Sequence, residues 1–259
     1  VSKKPDHQPI AQAQRKAQAQ RQQLIAMGVV GVMVGLFFVI FMVVLSRASA
    51  GVTIGKYDRV YQAITANGSA MMGDPTTPLM VAEFADFGCP FCLSYQPTIN
   101  TLVDQYVRNG QIQLIFVAQM FHQNSQIASQ AALCAAKQKK FWEMHDVLYD
   151  IQSKQGTDGF TIDNIRRNAE AAFSLDSKPW FDCIASGETQ SVLNSAGQFY
   201  QSLHLNGTPT LMWSGDAGDH WQFFLADNQQ PYTEGGVPLA VIARTIDAYY
   251  QATPTASKS

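Results

Sequence analysis

Four residues, Cys89-Pro90-Phe91-Cys92, hold the most pointed chemistry in this chain. They follow an apolar run, Leu79 to Phe87, that reads as a buried strand. They open a stretch with apolar residues at helical spacing: Ile99, Leu102, Val103, Tyr106 and Val107. A Cys-x-x-Cys pair at a strand-to-helix junction suits thiol–disulfide exchange for a physical reason. The first sulfur lies at the helix N-terminus, where unpaired N–H groups and the helix dipole favour a thiolate. The second lies one turn on, within reach of a mixed disulfide. This reading makes Cys89 the exposed nucleophile and Cys92 the buried, resolving thiol. The competing chemistry is half of a zinc site, which needs a second ligand pair at comparable spacing. The other cysteines, Cys134 and Cys183, stand alone in the sequence, and His122, His145, His204 and His220 are scattered. No metal site is expected.

The elements that must position this pair can be read outward from it. Asp74-Pro75-Thr76-Thr77-Pro78 is a turn that launches the strand. The helix after the cysteines runs to about Arg108, carries Pro97 in its interior and stops at Asn109-Gly110. A second strand, Ile112 to Val117, follows. Some 85 residues of helical pattern then intervene, over about 119–205, with segments at 125–138, 141–151, 161–173, a short one capped by Asp176 or Ser177, and 188–203. Strand character returns at Thr210 to Trp213 and His220 to Leu225, which read as a hairpin. A last amphipathic helix spans Val237 to Tyr250.

Composition places this domain beside something more apolar. Of 259 residues, 46% are hydrophobic and 15% charged. Leu24 to Leu45 is 22 residues without a charge, about 33 Å as a helix and enough to cross a bilayer core. The 23 residues before it hold five basic side chains against Asp6. The chain as a whole carries −2, so the part from residue 24 onward carries −6. Positive charge stays on the cytoplasmic side, so the rest should face outward. An acidic exported portion speaks against nucleic-acid binding. The rival for the apolar run is a cleaved signal peptide, with Ala48-Ser49-Ala50 as its cleavage site. The run is longer than a signal core of ~7–15 residues, which favours an uncleaved signal anchor. The expected organisation is a cytoplasmic tail over 1–23, a transmembrane helix over 24–46, a tether over 47–70, a globular domain over 71–251 and a disordered tail over 252–259.

Taken together, Gly73-Asp74-Pro75, Glu83-Phe84-Ala85-Asp86-Phe87-Gly88-Cys89-Pro90-Phe91-Cys92, Phe141-Trp142-Glu143-Met144-His145-Asp146 and Gly207-Thr208-Pro209-Thr210 resemble the DsbA-like branch of the thioredoxin superfamily. The resemblance covers about residues 70–251. It implies an α/β thioredoxin-like fold with a helical insertion and a thiol:disulfide oxidoreductase that needs no cofactor. It implies a cis bond at Thr208-Pro209 facing the cysteines, where the freed backbone groups can pair with a substrate strand. It places Glu83 beneath the active site as a proton acceptor for Cys92. A carboxylate in an apolar strand is costly unless paired or protonated, and a strand residue reaching solvent is the alternative. Pro90 and Phe91 tune the pair. Phe91 departs from the strong oxidants of the family, which carry His there. The resemblance also implies a structural Cys134–Cys183 disulfide, the alternative being two buried free thiols. The partners implied are exported protein thiols and a membrane protein that reoxidises the dithiol, of a quinone-linked DsbB-like or vitamin-K-epoxide-reductase-like kind. Two other readings stay open: a reductase or isomerase of the same fold, differing only in redox direction, and a docking subunit of a larger membrane complex, assembled through the transmembrane helix, in which Gly31 and Gly35 have small-xxx-small spacing.

Overall fold

A computed structural model describes residues 55–65 and 67–253 of the chain. The expected cytoplasmic tail and transmembrane helix lie outside these residues, as does the C-terminal tail from residue 254 onward. Among the described residues no helix is long and apolar enough to cross a membrane.

A mixed sheet organises the rest. Its strands are β1 (Gln62–Ile64), β2 (Ala70–Met72), β3 (Met80–Asp86), β4 (Gln113–Gln119), β5 (Thr210–Ser214) and β6 (Gln222–Phe223). Their spatial order is β1-β2-β4-β3-β5-β6. Only β3 and β4 pair in parallel, from Met80↔Gln113 to Asp86↔Gln119; the other neighbours are antiparallel. A parallel pair needs a crossover, and α1 (Pro90–Leu102), extended by a π-helical turn at Val103–Val107, supplies it. Between β4 and β5 stand α2 (Ser125–Ala136), α3 (Phe141–Gln155), α4 (Ile162–Ala172), α5 (Ser177–Ser186) and α6 (Gln190–Ser202); α7 (Leu239–Ala252) closes the chain.

Both faces of β3 are buried, which explains its near-continuous apolar run. Val81 and Ala85 face a large core shared with α1, α3 and α7, while Ala82 and Phe84 face a smaller one that includes Tyr200 of α6. The two-residue period of a strand therefore puts Glu83 on the same face as Val81 and Ala85, toward α1. Its cross-strand partners are Phe116 and Leu211. The carboxyl does not reach solvent.

The tether expected over 47–70 is overturned in its described part. Tyr57 is buried, and its hydroxyl donates to Asp146 Oδ1 at 2.9 Å. Lys56 Nζ reaches Asp146 Oδ2 and Asn100 Oδ1, both at 2.7 Å. β1 then adds an edge strand to the sheet. Gly55, Gly68 and Gly73 occupy turns at φ of +76°, +81° and +117°, where a side chain is disfavoured. Two smaller differences concern lengths. The helix after the cysteines changes to a π-turn at Val103, and β6 is two residues long rather than six.

Candidate active site

Cys89 is the N-cap of α1, at φ −76° and ψ 120°, with Pro90 in the first turn. Proline costs nothing there, because the N–H it lacks would be unpaired anyway. Cys89 N–H donates to the Asp86 carbonyl at 3.0 Å, and Cys89 C=O accepts the first helical bond from Leu93 N–H at 3.1 Å. Cys92 lies one turn on. Both thiols are free in the structure.

The expectation of an exposed Cys89 needs correction: it is 2% exposed and Cys92 is fully buried. The loop before β5 packs on the nucleophile. The Thr208-Pro209 bond is cis, and Cys89 Sγ lies 3.3 Å from the Thr208 carbonyl oxygen. Phe91, by contrast, is 71% exposed. Burial has not silenced Cys89. A hydrogen bond from the Cys92 thiol is the main influence that lowers its pKa to about 5. The Thr208 side chain and the backbone N–H groups of Cys92 and Phe91 add to this, against the opposing effect of desolvation. Cys92 is pushed strongly upward, first by burial, then by its bond to Cys89 and the charge of Glu83. The same helix end thus holds one acidic and one very weakly acidic thiol.

Glu83 lies buried on the face that carries α1, and neither carboxyl oxygen has a hydrogen-bond partner. Burial, with a smaller contribution from Cys89, raises its pKa to about 8. A carboxyl in that state holds its proton near neutral pH and can exchange it with a neighbouring thiol.

A second carboxylate, Asp86, has the opposite surroundings. Its Oδ1 accepts from Gly88 N–H at 2.7 Å and from the Ser125 hydroxyl. Its Oδ2 accepts from Phe121 N–H at 2.6 Å and His122 N–H at 3.0 Å, with His122 Nδ1 at 2.9 Å. This buried carboxylate binds the loop bearing the nucleophile to the start of the helical insertion. Gly88 completes the junction: a Cβ there would lie 2.5 Å from Ser125 Oγ and 2.6 Å from His122 Cβ. Sequence reasoning quoted Asp86 only as part of a motif and treated His122 as scattered. The signal available was the parallel pairing of β3 with β4, which carries the residues after Gln119 to the end of β3.

Cys134 and Cys183 are joined by a disulfide between α2 and α5 with S–S of 2.01 Å. Among the described residues no cluster of three or more His, Cys, Asp or Glu is placed to hold a metal.

A thioredoxin family model matches residues 65–221, and the chain belongs to that family. A probable disulfide bond formation protein D of Bacillus cereus is 23% identical over 199 residues, 75% of this chain and 89% of that one. A stretch of 109 residues, 42% of this chain, is 32% identical to part of a Na(+)/H(+) antiporter NhaA 3 of Salinispora tropica, covering 17% of the antiporter. Among solved structures, oxidised BdbD from Bacillus subtilis superposes with a TM-score of 0.59 at 19% identity, over 72% of this chain and 95% of that one. DsbA of Chlamydia trachomatis gives 0.58 at 19% identity, over 71% and 92%. With a dithiol at the head of α1 and this family's fold around it, the chain is a thiol:disulfide oxidoreductase of the thioredoxin family.

Proposed function

We propose that the chain is a membrane-anchored, extracytoplasmic oxidase that passes a Cys89–Cys92 disulfide to exported protein thiols. In the first step a substrate thiolate attacks Cys89 Sγ. The bond to Cys92 Sγ breaks, its electron pair leaves on Cys92, and the Glu83 carboxyl gives that thiolate a proton. A second substrate thiolate then attacks the substrate sulfur of the mixed disulfide and expels the Cys89 thiolate. The substrate loses two electrons and the protein holds them as a dithiol. Thr208 and Pro209 position the substrate chain, and Pro90 and Phe91 tune the pair.

The observation that carries this reading is the contrast between the two sulfurs. The donors around Cys89 stabilise its thiolate, and stabilising the reduced form makes the disulfide the stronger oxidant. Reoxidation falls to a quinone-linked membrane protein. The Leu24–Leu45 run and the basic residues before it support the anchor and the outward-facing domain.

Trapping tests the proposal. Cys92→Ser removes the resolving thiol, so mixed disulfides through Cys89 should accumulate with exported proteins. An envelope without such adducts, under conditions that trap an established oxidoreductase, would overturn it. The result would then favour a docking module within a larger membrane complex, a reading the match inside a much longer antiporter also supports.

A further inference from the structure

The proposed chemistry leaves one proton to be exchanged with water. Glu83 gives its proton to the departing Cys92 thiolate and must take one back; in the reverse step, when Cys92 resolves a mixed disulfide, Glu83 must first release its own proton to accept that of the thiol. Glu83 is 1% exposed and touches no hydrogen-bonding group. The core on its side of the sheet nevertheless contains further polar atoms without partners, among them Tyr149 Oη, His145 Nε2 and the neighbouring Trp142 Nε1.

The side chains that carry these atoms belong to one cluster of neighbouring rings. Phe116, the cross-strand partner of Glu83, has its ring centroid 5.3 Å from that of His145 and 5.0 Å from that of Phe87. Phe87 is 5.3 Å from the Tyr149 ring, and Tyr149 is 4.9 Å from His145. His145 and Tyr149 stand four residues apart on α3, hence on one helix face. Beyond His145, its Nδ1 lies 3.1 Å from Asp146 Oδ1. The Asp146 and Lys56 side chains, 14% and 15% exposed, reach the surface together.

We propose that Tyr149, His145 and Asp146 form the proton path between Glu83 and solvent. The polarity of the groups sets its direction. Burial lowers the pKa of His145, so the imidazole is neutral, with one donor and one acceptor nitrogen. The Asp146 carboxylate takes the Nδ1–H, which leaves Nε2 as an acceptor for the Tyr149 hydroxyl. The Tyr149 oxygen in turn accepts from the Glu83 O–H. The path requires that each gap be closed, by a side-chain rotation or a bridging water. As Glu83 passes its proton to Tyr149, Tyr149 passes its own to Nε2, Nδ1–H passes to Asp146, and Asp146 releases one to water. Every bond made matches a bond broken, and each group is restored once the imidazole tautomer resets. Tyr149 senses both ends of the exchange: its phenol is held well above the ordinary range by burial first, then by the charges of Cys92 and Glu83.

This path rests on the thiol-exchange reading, and one experiment separates the two. Reduced full-length chain is mixed with oxidised glutathione, and two rates are followed by acid quench and mass: formation of the Cys89–glutathione adduct, and its resolution by Cys92. In Tyr149→Phe, resolution should slow about tenfold, below the ~10²–10⁴ of a full general base because Glu83 remains. Its solvent deuterium isotope effect should rise, while adduct formation stays at the wild-type rate. Folding should be undisturbed, since the lost hydroxyl had no partner. His145→Gln should reproduce the slowing. Wild-type resolution and isotope effect in both variants would overturn the path, as would an equal slowing of both steps. If the wild-type chain forms no adduct at all, the exchange reading fails and the path falls with it.

Discussion

Replacing Glu83 by Gln should change how stability depends on pH. Folded, Glu83 binds its proton with a pKa of about 8, against an ordinary 4.5 in the unfolded chain. The folded state therefore holds a proton that the unfolded state gives up. Stability from this group is fully present below pH 4.5 and drains away as pH rises through 8. At about 1.36 kcal/mol per pH unit the gap amounts to about 5 kcal/mol, a large share of the ~5–15 kcal/mol that holds a domain together. Glutamine cannot ionise, so the variant escapes the loss. Its own buried amide adds a penalty that does not depend on pH. Urea unfolding of both proteins from pH 4 to 9 reads the difference directly. It is best done in the disulfide form, where neither cysteine titrates; desolvation, the larger cause of the shift, remains. The stability of Glu83→Gln relative to wild type should rise across this range and level off above pH 8, by up to about 5 kcal/mol. Parallel profiles would refute the reasoning and place the Glu83 carboxyl in contact with water or a cation.

The pH dependence of iodoacetamide labelling should show a Cys89 midpoint near 5. Cys92→Ala removes the main stabilising hydrogen bond and should move that midpoint upward; an unmoved midpoint would mean that the helix end alone sets the acidity. The double substitution Cys134→Ser and Cys183→Ser releases a link across 49 residues of sequence. It should cost about 4 kcal/mol by loop-closure entropy, measured as a lowered urea midpoint with an active Cys89–Cys92 pair. An unchanged midpoint would make this bridge dispensable for the insertion.

What was legible in the sequence follows the range of the forces involved. β3, the Cys-x-x-Cys and α1 are announced by local pattern and by a helix end with proline in its first turn. Thr161 caps α4, accepting from Asn164 N–H, and Asp176 caps α5, accepting from Lys178 N–H; both use short-range geometry that residue types encode. β1 and β2 were hidden because three residues between glycines carry too little periodicity, and the sheet edge, not propensity, holds them extended. The Asp86–His122 contact was hidden because strand pairing makes it, 36 residues apart in sequence. Glu83 was legible as an anomaly: one carboxyl in an apolar run. That it lacks any partner could be learned only from the packing.

The convergence on Asp86 bears on how such proteins can be recombined. Five donor and ring contacts from two separate chain segments meet on one carboxylate, beside a glycine where any β-carbon would collide with both Ser125 and His122. The helical insertion is therefore not an interchangeable cassette on a thioredoxin chassis. A chimera that imports another insertion but not its matching 121–125 segment would leave the Asp86 carboxyl buried and without most of its donors. Residues 86, 88, 122 and 125 should travel through evolution, and through the designer's hands, as one inherited block.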